Sequence, residues 1–155
     1  MWARPAINGT FDPPSNVYVC LDLPDAQLPG ARVAVEAWNE SLKQWKHIIP
    51  INGNQGACTY WVHEASKPVD SDSHALAWAS RIGGNEISMR KGWYEIDVTG
   101  ILLHELGHAF GAQHVAGTLM NAVHQYPGRT CPDIVTVAQV AAWNHIDLDL
   151  LSWCY

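Results

Sequence analysis

The sequence contains little positive charge and no basic cluster. It has 9 Lys and Arg residues against 15 Asp and Glu residues, which gives a formal net charge of −6. Nucleic-acid binding needs clustered positive charge, so we expect no DNA or RNA partner. No apolar run is long enough to cross a bilayer, and we expect no membrane span.

Cysteine is scarce and never occurs as a Cys-x-x-Cys pair, which argues against a cysteine-ligated zinc site. Two disulfides in an exported protein and four buried thiols in a cytosolic protein are both compatible with the even number. Cys131 and Cys154 flank the C-terminal segment and are a candidate disulfide. The four residues are Cys20, Cys58, Cys131 and Cys154.

The N-terminal residues lack the pattern of a secretion signal, because Met1–Pro5 contain no charged region followed by an apolar core. The sequence is compatible with a cytoplasmic protein and with the mature form of an exported one, and we favour the secreted form. A length of 155 residues with 48% hydrophobic residues fits one globular domain, which we expect to be monomeric.

Strand and helix patterns alternate along the chain. Three segments have helical periodicity or helix caps, at about 29–45, 97–110 and 136–144. Asp97 or Thr99 can cap the second helix, and Thr136 with Gln139 resembles a capping box for the third. Short apolar runs predict strands at 17–21, 48–51, 58–62, 74–79 and 86–89. This order predicts an α+β fold with helices packed on a mixed sheet.

Residues 104–114 read His-Glu-Leu-Gly-His-Ala-Phe-Gly-Ala-Gln-His. His104 and His108 are four residues apart, so their imidazoles lie on one face of a helix and can share one tetrahedral ion. Gly111 permits a left-handed turn that ends the helix and returns His114 as a third ligand. This pattern predicts a zinc site with one position left for water.

Glu105 adjoins the first histidine and is the candidate catalytic base. A zinc ion lowers the pKa of bound water to about neutral, and a carboxylate beside it can accept the proton and pass it to the leaving amine. Incidental surface histidines are the ordinary interpretation of a single His pair. Three His, one Glu and one Gly at these offsets instead form a metalloprotease signature.

The motif HExxHxxGxxH resembles that of the metzincin clan of zinc endopeptidases. Met120, in the stretch 117–121, resembles the Met-turn of the clan, whose methionine lies beneath the zinc without binding it. The resemblance implies one catalytic domain over residues 1–155. Its upper subdomain, about 1–114, would hold a twisted mixed five-stranded sheet and two helices. Its small lower subdomain, about 115–155, would hold the Met-turn and one helix.

The resemblance also implies a substrate site for a protein or peptide. An edge strand at 74–80 would pair with an extended peptide through its backbone, with contacts from Leu76, Ala77, Trp78 and Ala79. The segment 121–129 would form the wall of a specificity pocket, with Asn121 and Tyr126 as contacts. His124 and Tyr126 are either oxyanion donors or ordinary wall residues.

The loop that contains His63, Asp70, Asp72 and His74 is a weaker signal. Oxygen-rich loops suit Ca²⁺, and a second Zn²⁺ is the alternative, although acidic loops are usually only solvated.

The motif at 104–114 and its resemblance to the metzincins together predict a zinc endopeptidase. A zinc amidase that acts on a non-protein amide and a non-catalytic binding module on the same fold remain open as alternatives.

Overall fold

A computed structural model describes residues 2–3, 15–54, 56, 58–66, 75–125 and 128–154 of the protein. Within this part, the chain forms a mixed five-stranded sheet, a two-stranded sheet and three α-helices. The predicted α+β class and the mixed sheet are confirmed.

The five-stranded sheet consists of β2 Ser15–Asp22, β3 Lys46–Asn52, β4 Tyr60–Ala65, β5 Ala77–Ala79 and β6 Glu86–Arg90. Their order in the sheet is β3-β2-β4-β6-β5. Four strands run parallel and only β5, at one edge, is antiparallel to its neighbour β6. Alternate side chains of β2, such as Val19 and Leu21, are fully buried under the helices.

Two helices, α1 Leu28–Leu42 and α2 Val98–Ala109, pack against each other next to the sheet. The indole of Trp38, on α1, is fully buried and donates a hydrogen bond of 2.9 Å to the carbonyl oxygen of Leu103 on α2. Because Trp has one polar atom, this bond allows the whole ring to be buried without leaving the N–H unsatisfied. The contact fixes α2 in the core.

The C-terminal region packs on α1. Helix α3, Ile134–Trp143, leads to the short strand β7, Trp153–Cys154, which pairs with β1, Trp2–Ala3. The hydroxyl of Ser41, on α1, donates a buried hydrogen bond to the carbonyl oxygen of Ser152. These contacts hold the C-terminal region against the helical layer.

Two disulfides join the cysteines, Cys20 with Cys58 and Cys131 with Cys154, and no free cysteine remains among the described residues. The expected pairing of the last two is thus confirmed, and the interpretation as four buried thiols is wrong. Disulfides persist mainly in oxidising compartments, so the pairing favours an extracellular location. None of the helices in the described ranges combines the length and apolar character that crossing a bilayer requires.

Two sequence predictions need correction. The third helix begins at Ile134, and its cap is Asp133, whose carboxylate accepts a hydrogen bond from the Thr136 amide. Asp133 precedes the predicted cap by three residues and competes successfully because a carboxylate caps better than a threonine hydroxyl. The predicted edge strand is also too long, because only Ala77–Ala79 is a strand. His74 lies outside the described residues.

Candidate metal centre

Helix α2 carries the first two candidate ligands on a rigid element. It begins after Asp97, whose side chain accepts a hydrogen bond of 3.2 Å from the Gly100 amide. Most of its residues are buried, so the helix is held by packing along its length and not by propensity alone. His104 and His108 therefore have fixed positions relative to the sheet.

Three imidazoles converge on one point. The Nε2 atom of His108 lies 3.1 Å from the Nε2 atom of His104 and 3.1 Å from the Nε2 atom of His114. All three ligand atoms lie within 4.8 Å of one another. An ion bound tetrahedrally by nitrogen atoms at about 2.0–2.1 Å holds them roughly 3.3 Å apart, close to the two short distances here. The three histidines can therefore bind a metal ion.

The remaining nitrogens decide which atoms face the ion. The Nδ1 atom of His104 lies 2.9 Å from the Leu119 carbonyl oxygen, and that of His108 lies 2.8 Å from the Ala112 carbonyl oxygen. A carbonyl oxygen only accepts, so each Nδ1 carries the proton and each Nε2 presents a lone pair. Converging lone pairs repel one another unless a cation lies between them. The donor set thus fits a metal ion.

Burial keeps these histidines neutral. Burial lowers the pKa of His104 to about 4. The hydrogen bond that His104 donates to the Leu119 carbonyl oxygen acts in the opposite direction, and positive charge on neighbouring histidines would lower the pKa further. Burial also lowers the pKa of His108. Ligating histidines must be unprotonated, so at neutral pH both imidazoles are ready to bind an ion.

His114 comes back to the site through a turn at the end of α2. Gly111 has φ 115°, a backbone conformation that side-chain-bearing residues rarely adopt. The Ala112 amide then donates a hydrogen bond of 2.8 Å to the Gly107 carbonyl oxygen. A Cβ atom on Gly111 would overlap the Trp143 ring. Glycine is required here both for the turn and for the approach of Trp143.

Glu105 is buried, with a relative exposure of 7%, and its carboxylate accepts a hydrogen bond from the Ala79 backbone amide. Burial raises the pKa of Glu105 to about 8, against the lowering effect of that hydrogen bond. A bound cation would act in the opposite direction, because nearby positive charge favours the carboxylate. The Glu105 carboxyl group is therefore attached to the edge strand through Ala79.

The chain after His114 makes a tight turn around Met120. The Val115 amide donates to the Met120 carbonyl oxygen at 2.9 Å, and the Asn121 amide donates to the Thr118 carbonyl oxygen at 3.1 Å. Met120 is fully buried. A Cβ atom on Gly107 would lie 2.6 Å from the Met120 sulfur, so the methionine packs directly on the backbone of α2.

A main cleft of about 670 Å³ lies over the three histidines and Glu105. Four residues of the predicted substrate strand line it, although Leu76 lies just outside β5. Asn121 lines the cleft from the opposite segment. The cleft thus brings together Leu76, Ala77, Trp78, Ala79, Asn121 and Glu105 with the histidines. Tyr126 lies outside the described residues.

A smaller side cavity of about 270 Å³ opens beside the main cleft. His104, Asn121, Val123 and His124 line both spaces and so separate them. The segment that was expected to wall a specificity pocket therefore does line a cavity next to the ligands. The remaining lining residues are Gly100, Gly117, Thr118, Leu119, Gln125, Gly128 and Arg129.

The sequence interpretation missed a link between Asp97 and His124. The Asp97 carboxylate lies 2.9 Å from His124 Nε2, in addition to capping α2. The cap was visible as an Asp before a helix. The contact with His124 had no signal in the sequence, because the two residues are separated by 27 positions.

The described residues do not support the second ion predicted from the sequence. His63 Nε2 lies 2.8 Å from a Glu86 carboxylate oxygen, which gives it a partner within the sheet. Asp70, Asp72 and His74 lie outside the described residues. Among the described residues, the one group of three or more candidate ligands is the histidine trio.

Comparison with known proteins adds no family to these observations. A scan against protein-family profiles finds none that matches the chain, and a search of curated proteins finds no match. The function is therefore inferred from the chemistry of the site itself.

Proposed function

We propose that this protein is a zinc-dependent endopeptidase of the metzincin type, which hydrolyses peptide bonds in an extended protein or peptide substrate. The observation that carries the proposal is the convergence of three imidazoles, two of which have their other nitrogen tied to a carbonyl oxygen. In His104 and His108 these bonds leave the Nε2 lone pair facing the common point.

Zinc is the ion that this donor set suits best. Three neutral imidazole nitrogens with a tetrahedral arrangement and an open fourth position are typical of catalytic zinc sites, whereas Ca²⁺ and Mg²⁺ prefer oxygen ligands. When bound, zinc supplies an activated water and polarises the substrate carbonyl. His104, His108 and His114 would hold it.

Glu105 is proposed to move the proton. Its carboxylate is buried beside the first ligand and is oriented by the Ala79 amide. An ionised carboxylate in this position takes a proton from the attacking water and delivers it to the nitrogen of the leaving amine. Because the residue is held by the edge strand itself, its distance from a peptide on that strand is fixed.

The antiparallel edge strand β5 is proposed to bind the substrate. Ala77–Ala79 pair with β6 on one side only, and the residues around β5 line the main cleft on the other side. The outward backbone groups of an edge strand are a template for an extended peptide. In β5 the Ala79 amide is taken by Glu105, so the remaining outward groups would bind the peptide. This arrangement would pass the peptide over Glu105 and the histidines.

The metzincin assignment accounts for three further features together. These are the turn around Met120, the division into a sheet region and a small C-terminal region, and the position of the helix with the motif. The disulfides support secretion, and we propose that the active form is a monomer.

The test is digestion of an unfolded protein by the wild type and by Glu105→Gln, each purified with zinc. The amide has nearly the same shape as the carboxyl group but cannot act as a base, so we expect zinc binding to persist and cleavage to fall at least 100-fold. Equal cleavage by both proteins would overturn the role of Glu105. If the wild type binds zinc but cleaves no protein, a panel of non-protein amides separates an amidase from a binding module.

A further inference from the structure

One carboxylate ties the wall of the side cavity to the start of the ligand helix. The Asp97 Oδ1 atom accepts from the Gly100 amide at 3.2 Å. Its Oδ2 atom accepts from the Gly128 amide at 2.9 Å and lies 2.9 Å from His124 Nε2, which donates its proton. The side chains of Asp97 and His124 are 16% and 19% exposed, so these bonds are little weakened by water. We name Asp97, Gly100, His124 and Gly128 the Asp97 cluster.

The two glycines of the Asp97 cluster permit an unusually close backbone approach. A Cβ atom placed on either glycine would lie 3.1 Å from the Cα atom of the other and would overlap the Asp97 carboxylate. A side chain on Gly128 would also meet His124 at 2.9 Å. The wall segment is therefore in direct backbone contact with the first turn of α2, and no larger residue fits at this contact.

The Asp97 cluster forms one boundary of the side cavity, because Gly100, His124 and Gly128 all line it. The volume of about 270 Å³ is below the range of roughly 300–1,000 Å³ in which whole small ligands bind. A space of this size beside a cleft suits one side chain of a longer substrate. His124 also lines the main cleft, so the same residue separates the cavity from the path of the peptide.

Three of the polar side chains that line the side cavity among the described residues already have partners. Thr118 donates to the Val115 carbonyl oxygen, and Asn121 donates to the Val123 carbonyl oxygen. Arg129 donates to the Gly117 carbonyl oxygen at 3.0 Å and lies 3.8 Å from the Asp133 carboxylate. A charged substrate side chain would have to lose its hydration without gaining an unpaired opposite charge. The cavity therefore suits an uncharged side chain.

We propose that Asp97 is a specificity-determining positioning residue, which fixes the side cavity at the size of one uncharged substrate side chain. It acts through Gly128 and His124 and touches neither substrate nor metal. The inference rests on the proposed peptidase function for its substrate, but the contacts that carry it are independent of cleavage. Release of the wall segment would widen the cavity and relax the preference for side-chain size.

The variant Asp97→Asn separates the two roles of Asp97. Its amide oxygen can still accept from Gly100 and cap α2, whereas its NH₂ group faces the Gly128 amide and replaces an acceptor by a donor. The matched control is Thr99→Val. Thr99 lies in the same first turn and donates a 2.8 Å hydrogen bond to Gly30, on the side of α1. This control weakens the helix start without touching the cavity wall.

Two measurements decide the proposal. Amide hydrogen exchange read by NMR should accelerate about tenfold or more at Gly128 in Asp97→Asn and stay unchanged there in Thr99→Val. A peptide library should show that Asp97→Asn lowers the kcat/KM preference for the favoured side-chain size at least fivefold, with zinc affinity retained. A general loss of stability would slow all substrates equally and would leave the ratios unchanged.

Each part of the proposal would be contradicted by a different experimental result. An unchanged exchange rate at Gly128 in Asp97→Asn would show that the carboxylate does not hold the wall. Fast exchange at Gly128 with an unchanged size preference would overturn the role in specificity. A wild-type protein that cleaves no peptide would contradict the proposed function, while the exchange measurement would still report on the Asp97 cluster.

Discussion

The sulfur of Met120 packs against Gly107, in the middle of the helix that carries His104 and His108. A Cβ atom on Gly107 would lie 2.6 Å from that sulfur, a distance that well-packed atoms do not adopt. The absence of a side chain at this point lets the turn approach α2, and the Leu119 carbonyl oxygen then reaches His104. The turn and the candidate metal ligand His104 are thus positioned together by these two contacts.

We expect Gly107→Ala to destabilise the protein by about 1–3 kcal/mol. Overpacking of a buried contact costs this amount, although alanine gains about 1 kcal/mol of helix propensity over glycine. Chemical denaturation measures the change. In a Met120→Ala background the added methyl group has room, so the cost of Gly107→Ala should largely vanish. An equal cost in both backgrounds would contradict direct packing.

Zinc should stabilise the folded protein by mass action. At a free zinc concentration 100 times the dissociation constant, we expect the free energy of unfolding to rise by about 2.7 kcal/mol. Thermal unfolding with a chelator and with added zinc measures the difference. His108→Ala should abolish most of this response. His47→Ala is the control, because His47 is exposed on β3 and should leave the response intact.

The metal-free protein should lose stability as the pH rises from about 5 to about 8, relative to Glu105→Gln. Burial raises the pKa of Glu105 from its ordinary value of 4.5 to about 8, so between these values the folded state keeps a proton that the unfolded state releases. The free energy of unfolding then falls with pH, by up to about 1.4 kcal/mol per pH unit. Urea titrations with a chelator measure both proteins. Parallel pH profiles would contradict the raised pKa.

The Cys131–Cys154 disulfide should contribute about 3 kcal/mol. It closes a loop with a sequence separation of 23 residues. Removal of a cross-link of this span increases the entropy of the unfolded chain, which lowers the free energy of unfolding by about 3 kcal/mol. The double variant Cys131→Ser and Cys154→Ser keeps similar volumes and should lower the free energy of unfolding accordingly. The wild type with both disulfides intact provides the comparison. No change in stability would contradict the pairing.

The ligand helix was predictable from the sequence because several local signals agree there. Asp97 caps it, apolar residues fill its buried face, and the histidine spacing matches the helical period. Gly111 marked its end correctly. The predicted start of α3 was wrong because Asp133 and Thr136 can both cap a helix. Hydrophobic periodicity does not distinguish two caps that are three residues apart.

Features that depend on long-range contacts could not be predicted in this way. The bounds of β5 depend on how it pairs with β6, a separate segment, and the apolar pattern of β5 itself does not encode that pairing. The Asp97 cluster joins residues from two distant segments and appears only when the fold brings them together. The position of His114 was predicted, but its distance from His108 depends on the turn after α2.

The turn after β5 is attached to the ligand helix. The Gly83 amide donates a hydrogen bond of 2.8 Å to the His108 carbonyl oxygen, and Trp143 packs over both Gly83 and Gly111. In the proposed peptidase this bond fixes the position of the edge strand, and so of the bound peptide, relative to the histidines that would hold the ion. A shift of β5 by one residue would reverse which of its side chains face inward and would move the scissile bond to a neighbouring position.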